Sequence, residues 1–162
     1  MDCATWWFDH VGETYIYVLA ARTGDESTKD SQTEKLLIGA QAWGGLIGVA
    51  PASELMVEHV VEVKRLADSA FAGERAGVDG AVEALLQNMD RQTDLYQRRI
   101  PGFPTDEWKR VFGTYITNTG GYILALAAGD MADFRMKYNE MVQDRNALAR
   151  VWGRTCLSMR RR

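Results

Sequence analysis

His10-Val11-x-Glu13 recurs as His59-Val60-x-Glu62 and again, altered, as Tyr115-Ile116-x-Asn118. The starts lie 49 and then 56 residues apart. From each start the chain runs fourteen residues to a glycine followed by an acid: Gly24-Asp25, Gly73-Glu74 and Gly129-Asp130. The same offsets carry Leu36-Leu37 onto Leu85-Leu86, and Leu85-Leu86-Gln87-Asn88 onto Met141-Val142-Gln143-Asp144. Self-similarity at a fixed period marks a structural unit repeated in tandem. The chain therefore reads as all-α, a single bundle of about six helices arranged as three αα-hairpins. The repeat says much about architecture and little about function.

Helical spacing of Phe8, Val11, Tyr15, Val18 and Leu19 predicts a first helix over about 4–22. Residues 23–31 read as a polar loop rich in Gly, Asp and Ser. A second helix spans about 32–48 and holds Gly39, Gly44, Gly45 and Gly48. Each interior glycine costs ~1 kcal/mol against alanine, so either close backbone approach or a break near Gly44-Gly45 must explain them. Pro51 suits the first turn of a third helix, ending near Ala72, and a fourth covers about 78–98. Pro101, Gly102 and Pro104 interrupt the chain. Thr105 then caps a fifth helix with Asp106 and Glu107 in its first turn, and Asp130 caps a sixth reaching Trp152 or a little beyond. The hairpins fall at about 4–49, 51–98 and 105–155, with a short basic tail at 156–162. A closed bundle is favoured over a short superhelical stack, because three units are near the minimum for a stack.

Several classes are disfavoured by composition. No apolar run approaches the ~18 residues a membrane span requires, and no basic segment precedes an apolar one as in a signal peptide. The expected location is the cytoplasm, or the inside of a large intracellular assembly or viral particle, without secretion. Cys3 and Cys156 belong to no CxxC pair or disulfide framework. They read as unpaired thiols in a reducing compartment; a staple between them is the other option, which nothing in the sequence requires. The net charge of −3 is unevenly spread: six arginines and no acid follow Asp144, so the first 144 residues carry −9. Arg154, Arg160, Arg161 and Arg162 are candidate contacts to a protein partner, nucleic acid or another acidic surface. The alternative is a last helix whose cations complement its dipole.

Asp9-His10-Val11, Leu36-Leu37 with Gln41 and Gly44, His59-Val60, Asn88, Pro101, Gly129-Asp130 and Tyr138 occur in that order across nearly the whole chain. Together they resemble an uncharacterised family of small bacterial helical-bundle proteins, whose helices carry Asp-His-Val, Leu-Leu-x-Asn-Gln, His-Ile and Glu-His-Leu. The resemblance is discontinuous. Tyr115 stands where that family has the histidine of the fifth helix, and Asn139 replaces its aspartate after the tyrosine. It implies a helical bundle with a polar interior cluster and transfers no activity.

Chemistry, if present, centres on His10, Glu13, His59 and Glu62. Each His-x-x-Glu pair shares a helix face, and imidazole with carboxylate suits zinc, iron or manganese. Di-metal bundles use the reverse order, Glu-x-x-His, with further carboxylates; Asp9, Glu58 and Asp144 are on hand. The third copy offers only Tyr115 and Asn118, so a hydrogen-bonded polar layer without a metal is favoured. Gly39 to Gly48 is no P-loop, lacking the Gly-Lys-Ser/Thr ending and a preceding strand. The five tryptophans, near helix ends, read as core caps whose indole N–H reaches water, with interface anchoring the alternative. The favoured function is a non-enzymatic structural or interaction module of a larger protein assembly, without a cofactor. The alternative is a metal-binding bundle, an oxidoreductase or a metal carrier.

Overall fold

The structure, a computed structural model, describes residues 1–161. Six helices follow one another: α1 (Cys3–Thr23), α2 (Glu26–Leu46), α3 (Ala52–Ala72), α4 (Arg75–Arg99), α5 (Thr105–Ala128) and α6 (Met131–Arg160). The described residues contain no strand.

The tandem repeat is visible in the turns. Gly24, Gly73 and Gly129 close α1, α3 and α5 in the left-handed region, at φ of 70°, 71° and 75°. An L side chain is strained there, and glycine is not. The amide of the following acid bonds back five residues each time: Asp25 to Ala20, Glu74 to Ser69, Asp130 to Ala125, at 2.8–3.0 Å. The same acid opens the next helix, its carbonyl accepting from Lys29, Val78 or Phe134 four residues on. A two-residue connection of this kind forces antiparallel neighbours, and it occurs at the same place in all three copies.

This capping corrects the polar loop expected over 23–31. The Asp25 carboxylate accepts from the Thr28 amide at 3.0 Å and the Thr28 hydroxyl at 2.6 Å, and α2 starts at Glu26. Its first turns are polar because they face solvent, not because they are irregular. The last helix also runs further than Trp152, through Cys156 to Arg160.

Helices α1, α3 and α5 touch one another along the centre. Helix α2 packs against α1 and α3, α4 against α3 and α5, and α6 against α5 and α1. That last contact closes the ring, so the three hairpins form a closed bundle. The closure is covalent: Cys3 and Cys156 form a disulfide between α1 and α6, with Cα atoms 6.5 Å apart. The free-thiol reading is thereby corrected. Sequence spacing could not reveal it, because the cysteines, 153 positions apart, come together only when the ring closes.

The glycines of α2 divide between the two explanations. A Cβ on Gly44 would lie 2.6 Å from the Ala50 carbonyl oxygen and 2.8 Å from that of Val49. The chain doubles back against this residue, with the Val49 amide bonded to the Gly44 carbonyl at 2.8 Å. Gly48 turns the chain at φ 67°. Gly44→Ala is expected to destabilise the fold by about 2–3 kcal/mol, since the obstacle is backbone and cannot rotate away. Gly45→Ala, with open space around it, should cost nothing. Equal denaturation midpoints for the two variants would contradict this packing.

One end of the bundle is an aromatic core. Trp7, Trp43, Trp108 and Trp152 are fully buried there with Tyr96 and Phe112, and Trp6 is nearly so. Trp43 and Trp152 meet edge to face at 4.7 Å, and Trp108 stacks on Phe112 at 4.3 Å. The tryptophans are core residues as read, but their N–H groups do not reach water. Trp6 donates to the Gly39 carbonyl at 3.0 Å and Trp43 to the Tyr96 hydroxyl at 2.9 Å. The N–H groups of Trp7, Trp108 and Trp152 are buried without a partner.

Candidate functional site

The repeated positions of the three inner helices converge. His10 of α1 and His59 of α3 lie with ring centroids 5.8 Å apart, and Tyr115 of α5 lies 6.4 Å from His59. All three are at most 4% exposed. Aromatic rings surround them: Trp6 stacks on His10 at 4.7 Å and 10°, and Phe112 covers His59 at 5.3 Å. One turn further on, Thr14 and Thr119 occupy the corresponding places of α1 and α5.

The polar layer is not the hydrogen-bonded one expected. Neither nitrogen of His59 has a hydrogen-bond partner, nor does Nε2 of His10. Aromatic faces, those of Trp6 and Phe112, cover the two imidazoles. The Thr14 hydroxyl, which could have served, donates instead to the His10 carbonyl at 2.8 Å. Desolvation holds both imidazoles neutral. Burial pushes His59 down to about 4, and burial together with the neighbouring His59 pushes His10 down to about 3. Burial pushes the Tyr115 phenol up to about 12, with the Thr119 and Thr14 hydroxyls opposing the rise. The Tyr115 hydroxyl nonetheless makes no well-formed hydrogen bond.

The two glutamates do not join the histidines. Glu62 turns to Arg65 of its own helix, at 2.8 Å. Glu13 is partly buried, and its carboxyl is raised by that burial and by Asp9, with Lys35 opposing. Asn118, at the corresponding place in the third copy, donates to Asp144 of α6 at 2.8 Å. Among the described residues no three His, Cys, Asp or Glu side chains converge as a metal site would need. What remains for a metal is a pair of imidazoles beside a phenol, a smaller donor set than the four residues picked from the sequence.

A second buried polar feature was not anticipated. Along α4, Asn88 donates to the Leu55 carbonyl at 2.8 Å and Gln92 donates to Asn88 at 2.7 Å. The Tyr96 hydroxyl donates to Gln92 at 3.0 Å and accepts from Trp43. The signal was present as polar residues spaced four apart on a helix face that should be apolar. This ladder is satisfied throughout, which is how buried polar groups normally persist.

The candidate C-terminal contacts divide. Arg154 donates to both carboxylate oxygens of Glu107 at 2.7 and 2.8 Å and so ties α6 to α5. Arg160 and Arg161 are exposed at the end of α6. Arg162 lies outside the described residues.

Fold and centre together define a closed six-helix bundle of three hairpins around a buried His-His-Tyr layer. Compared with protein-family models, curated proteins and solved structures, the chain finds no match. None of its helices is long and apolar enough to cross a membrane, among the described residues.

Proposed function

We propose that the chain is a non-enzymatic structural module of a protein assembly, and that it joins copies of itself through a helix face and its arginine-rich C-terminus. The groove between α4 and α5 carries this reading. Leu86 and Leu124 are exposed there, 41% and 43%, above Val78 and Val82. Two adjoining depressions of about 370 and 430 Å³ share Val78, Asp79 and Leu124. Asp79, Glu83 and Asp90 stand on the rim, Asp79 beside Arg75 at 3.8 Å and Asp90 beside Lys109 at 3.4 Å, so Glu83 is the rim acid without an ion-pair partner among the described residues. The end of α6 is its complement, with Leu157 56% exposed beside Arg160 and Arg161. A contact between two different surfaces of one chain builds rings or open arrays. The disulfide supports a compartment or particle in which thiols become oxidised.

Light scattering across a concentration series tests this. The apparent mass should rise with concentration at low salt and fall back at high salt, as a contact between opposite charges requires. Leu124→Asp should abolish the rise, and deletion of residues 160–162 should weaken it while the fold persists. A single monomeric species of the full chain at every concentration would refute self-assembly. Salt-sensitive binding of duplex DNA that needs Arg160 and Arg161 would transfer the arginines to nucleic acid.

The second reading, a metal-binding bundle, is favoured by one observation: two neutral imidazoles 5.8 Å apart with unpartnered nitrogens. Stoichiometric zinc, iron or manganese retained through dialysis and lost in His10→Ala would establish it in place of the first.

A further inference from the structure

The central layer holds ligating capacity that the bundle leaves unused. Nε2 of His10 and both nitrogens of His59 are closed off from solvent and have no hydrogen-bond partner. A buried polar group without a partner is costly, and here three of them stand on two neighbouring rings. His10 is 4% exposed and His59 not at all. Their ring centres lie 5.8 Å apart, with 43° between the planes. Two imidazoles bonded to one metal ion at ~2.0–2.1 Å each hold their ring centres about 6 Å apart when the ion lies between them. The separation of the two rings therefore already suits a shared ion.

We propose that His10 and His59 bind one cuprous ion between them in a two-coordinate site inside the bundle, an assignment that rests on the metal-binding reading and not on self-assembly. Imidazole suits copper as well as zinc, iron and nickel, so the number of ligands decides the ion. Zinc takes four, and among the described residues no third His, Cys, Asp or Glu completes the pair. Glu62 is turned to Arg65 at 2.8 Å. Burial keeps the Tyr115 phenol protonated, and its polar neighbours are the Thr119 and Thr14 hydroxyls. Cuprous copper, with its filled d shell, is stable with two ligands. Charge points the same way. The cost of desolvating an ion rises with the square of its charge, so a shell of Trp6 and Phe112 opposes a monovalent ion far less than a divalent one. Burial also holds both imidazoles neutral, so near pH 7 no proton competes for the ligating lone pairs. Each ring keeps its one N–H, and binding releases no proton.

Tetrakis(acetonitrile)copper(I) supplies the ion, added to the full chain without oxygen and without thiols so that the disulfide stays closed. Because the ligating nitrogens do not touch solvent, the chain is loaded both in its native state and while refolding from denaturant. One equivalent should survive gel filtration and raise the thermal midpoint, since the ion binds the native state alone. X-ray absorption should show the intense edge feature of two-coordinate cuprous copper, with nitrogen neighbours only. His10→Leu and His59→Leu, each checked for unchanged helical circular dichroism, should lower the affinity at least a hundredfold in competition with bathocuproine disulfonate. No uptake by either route, uptake that survives either substitution, or a spectrum of three or more ligands would each overturn the proposal. A chain that rejects cuprous copper but retains zinc, iron or manganese through His10 would overturn it and leave the metal-binding reading standing. Rejection of all four would end both.

Discussion

Cys156→Ser will lower the thermal midpoint by roughly 10 °C, and dithiothreitol will do the same to the unaltered chain. The disulfide spans 153 residues, nearly the whole chain. Closing so long a loop removes entropy from the unfolded state worth ~5 kcal/mol in the chain-entropy description, and native disulfides deliver about 2–5. At this size each kcal/mol moves the midpoint by about 2–4 °C. The loss acts on unfolding as a whole, because the bond joins the two helices whose contact closes the ring. Cys3→Ser with Cys156→Ser should be no worse than either alone. A midpoint unchanged by reduction would show that α1 and α6 hold together without the bond, through their packing and the aromatic core beside them.

Acid will destabilise the bundle steeply between pH 6.5 and pH 4. His10 and His59 have folded-state values of about 3 and 4 against 6.5 for a free imidazole. Above pH 6.5 neither the folded nor the unfolded state holds their protons, and the histidines contribute no pH dependence. Below it the unfolded chain takes up both protons and the folded chain does not, so stability falls with pH. The slope is ~1.4 kcal/mol per pH unit for each histidine, or about 4 kcal/mol lost by pH 5. The loss from His59 levels off below about pH 4 and that from His10 below about pH 3. Glu13 and Asp144, whose carboxyls are raised chiefly by burial, act in the opposite direction as they protonate. Denaturant titrations at successive pH values measure the slope. In His10→Leu with His59→Leu it should largely disappear. At pH 7 His59→Leu alone should be neutral or stabilising by about 1–3 kcal/mol, because it removes two buried groups that lack partners. A strongly destabilised His59→Leu at pH 7 would mean that the imidazole holds something in the native protein.

The hairpin architecture was legible because one local device recurs. A glycine that must adopt positive φ, followed by an acid that caps the next helix, leaves the same two letters at the same offset three times. The partition of α2 was not legible: ESTKDSQT has the composition of a loop, and only the Asp25-to-Thr28 bonds identify it as the exposed start of a helix. Convergence of His10, His59 and Tyr115 followed from the repeat. Their lack of hydrogen bonds did not, since it depends on Trp6 and Phe112, which reach the layer only through tertiary packing. The His-x-x-Glu pairing misled for a related reason. Three residues along a helix set the glutamate about 60° round from the histidine, far enough for Glu62 to turn to Arg65 while His59 stays inside. The closing disulfide left no trace at all in spacing.

With Cys3 bound to Cys156, nearly the whole backbone is a loop without free ends. A protease that cuts once at Gly24-Asp25, Gly73-Glu74 or Gly129-Asp130 opens that loop but does not divide the molecule. The nicked protein keeps the mass of the intact one, apart from one water, until a reductant separates the pieces. Its helices keep their neighbours as well, since each remains tethered to the ring from one side. Damage at a hairpin turn is therefore survivable in oxidising surroundings and disassembling in reducing ones, so the lifetime of a cleaved copy is set by where it resides.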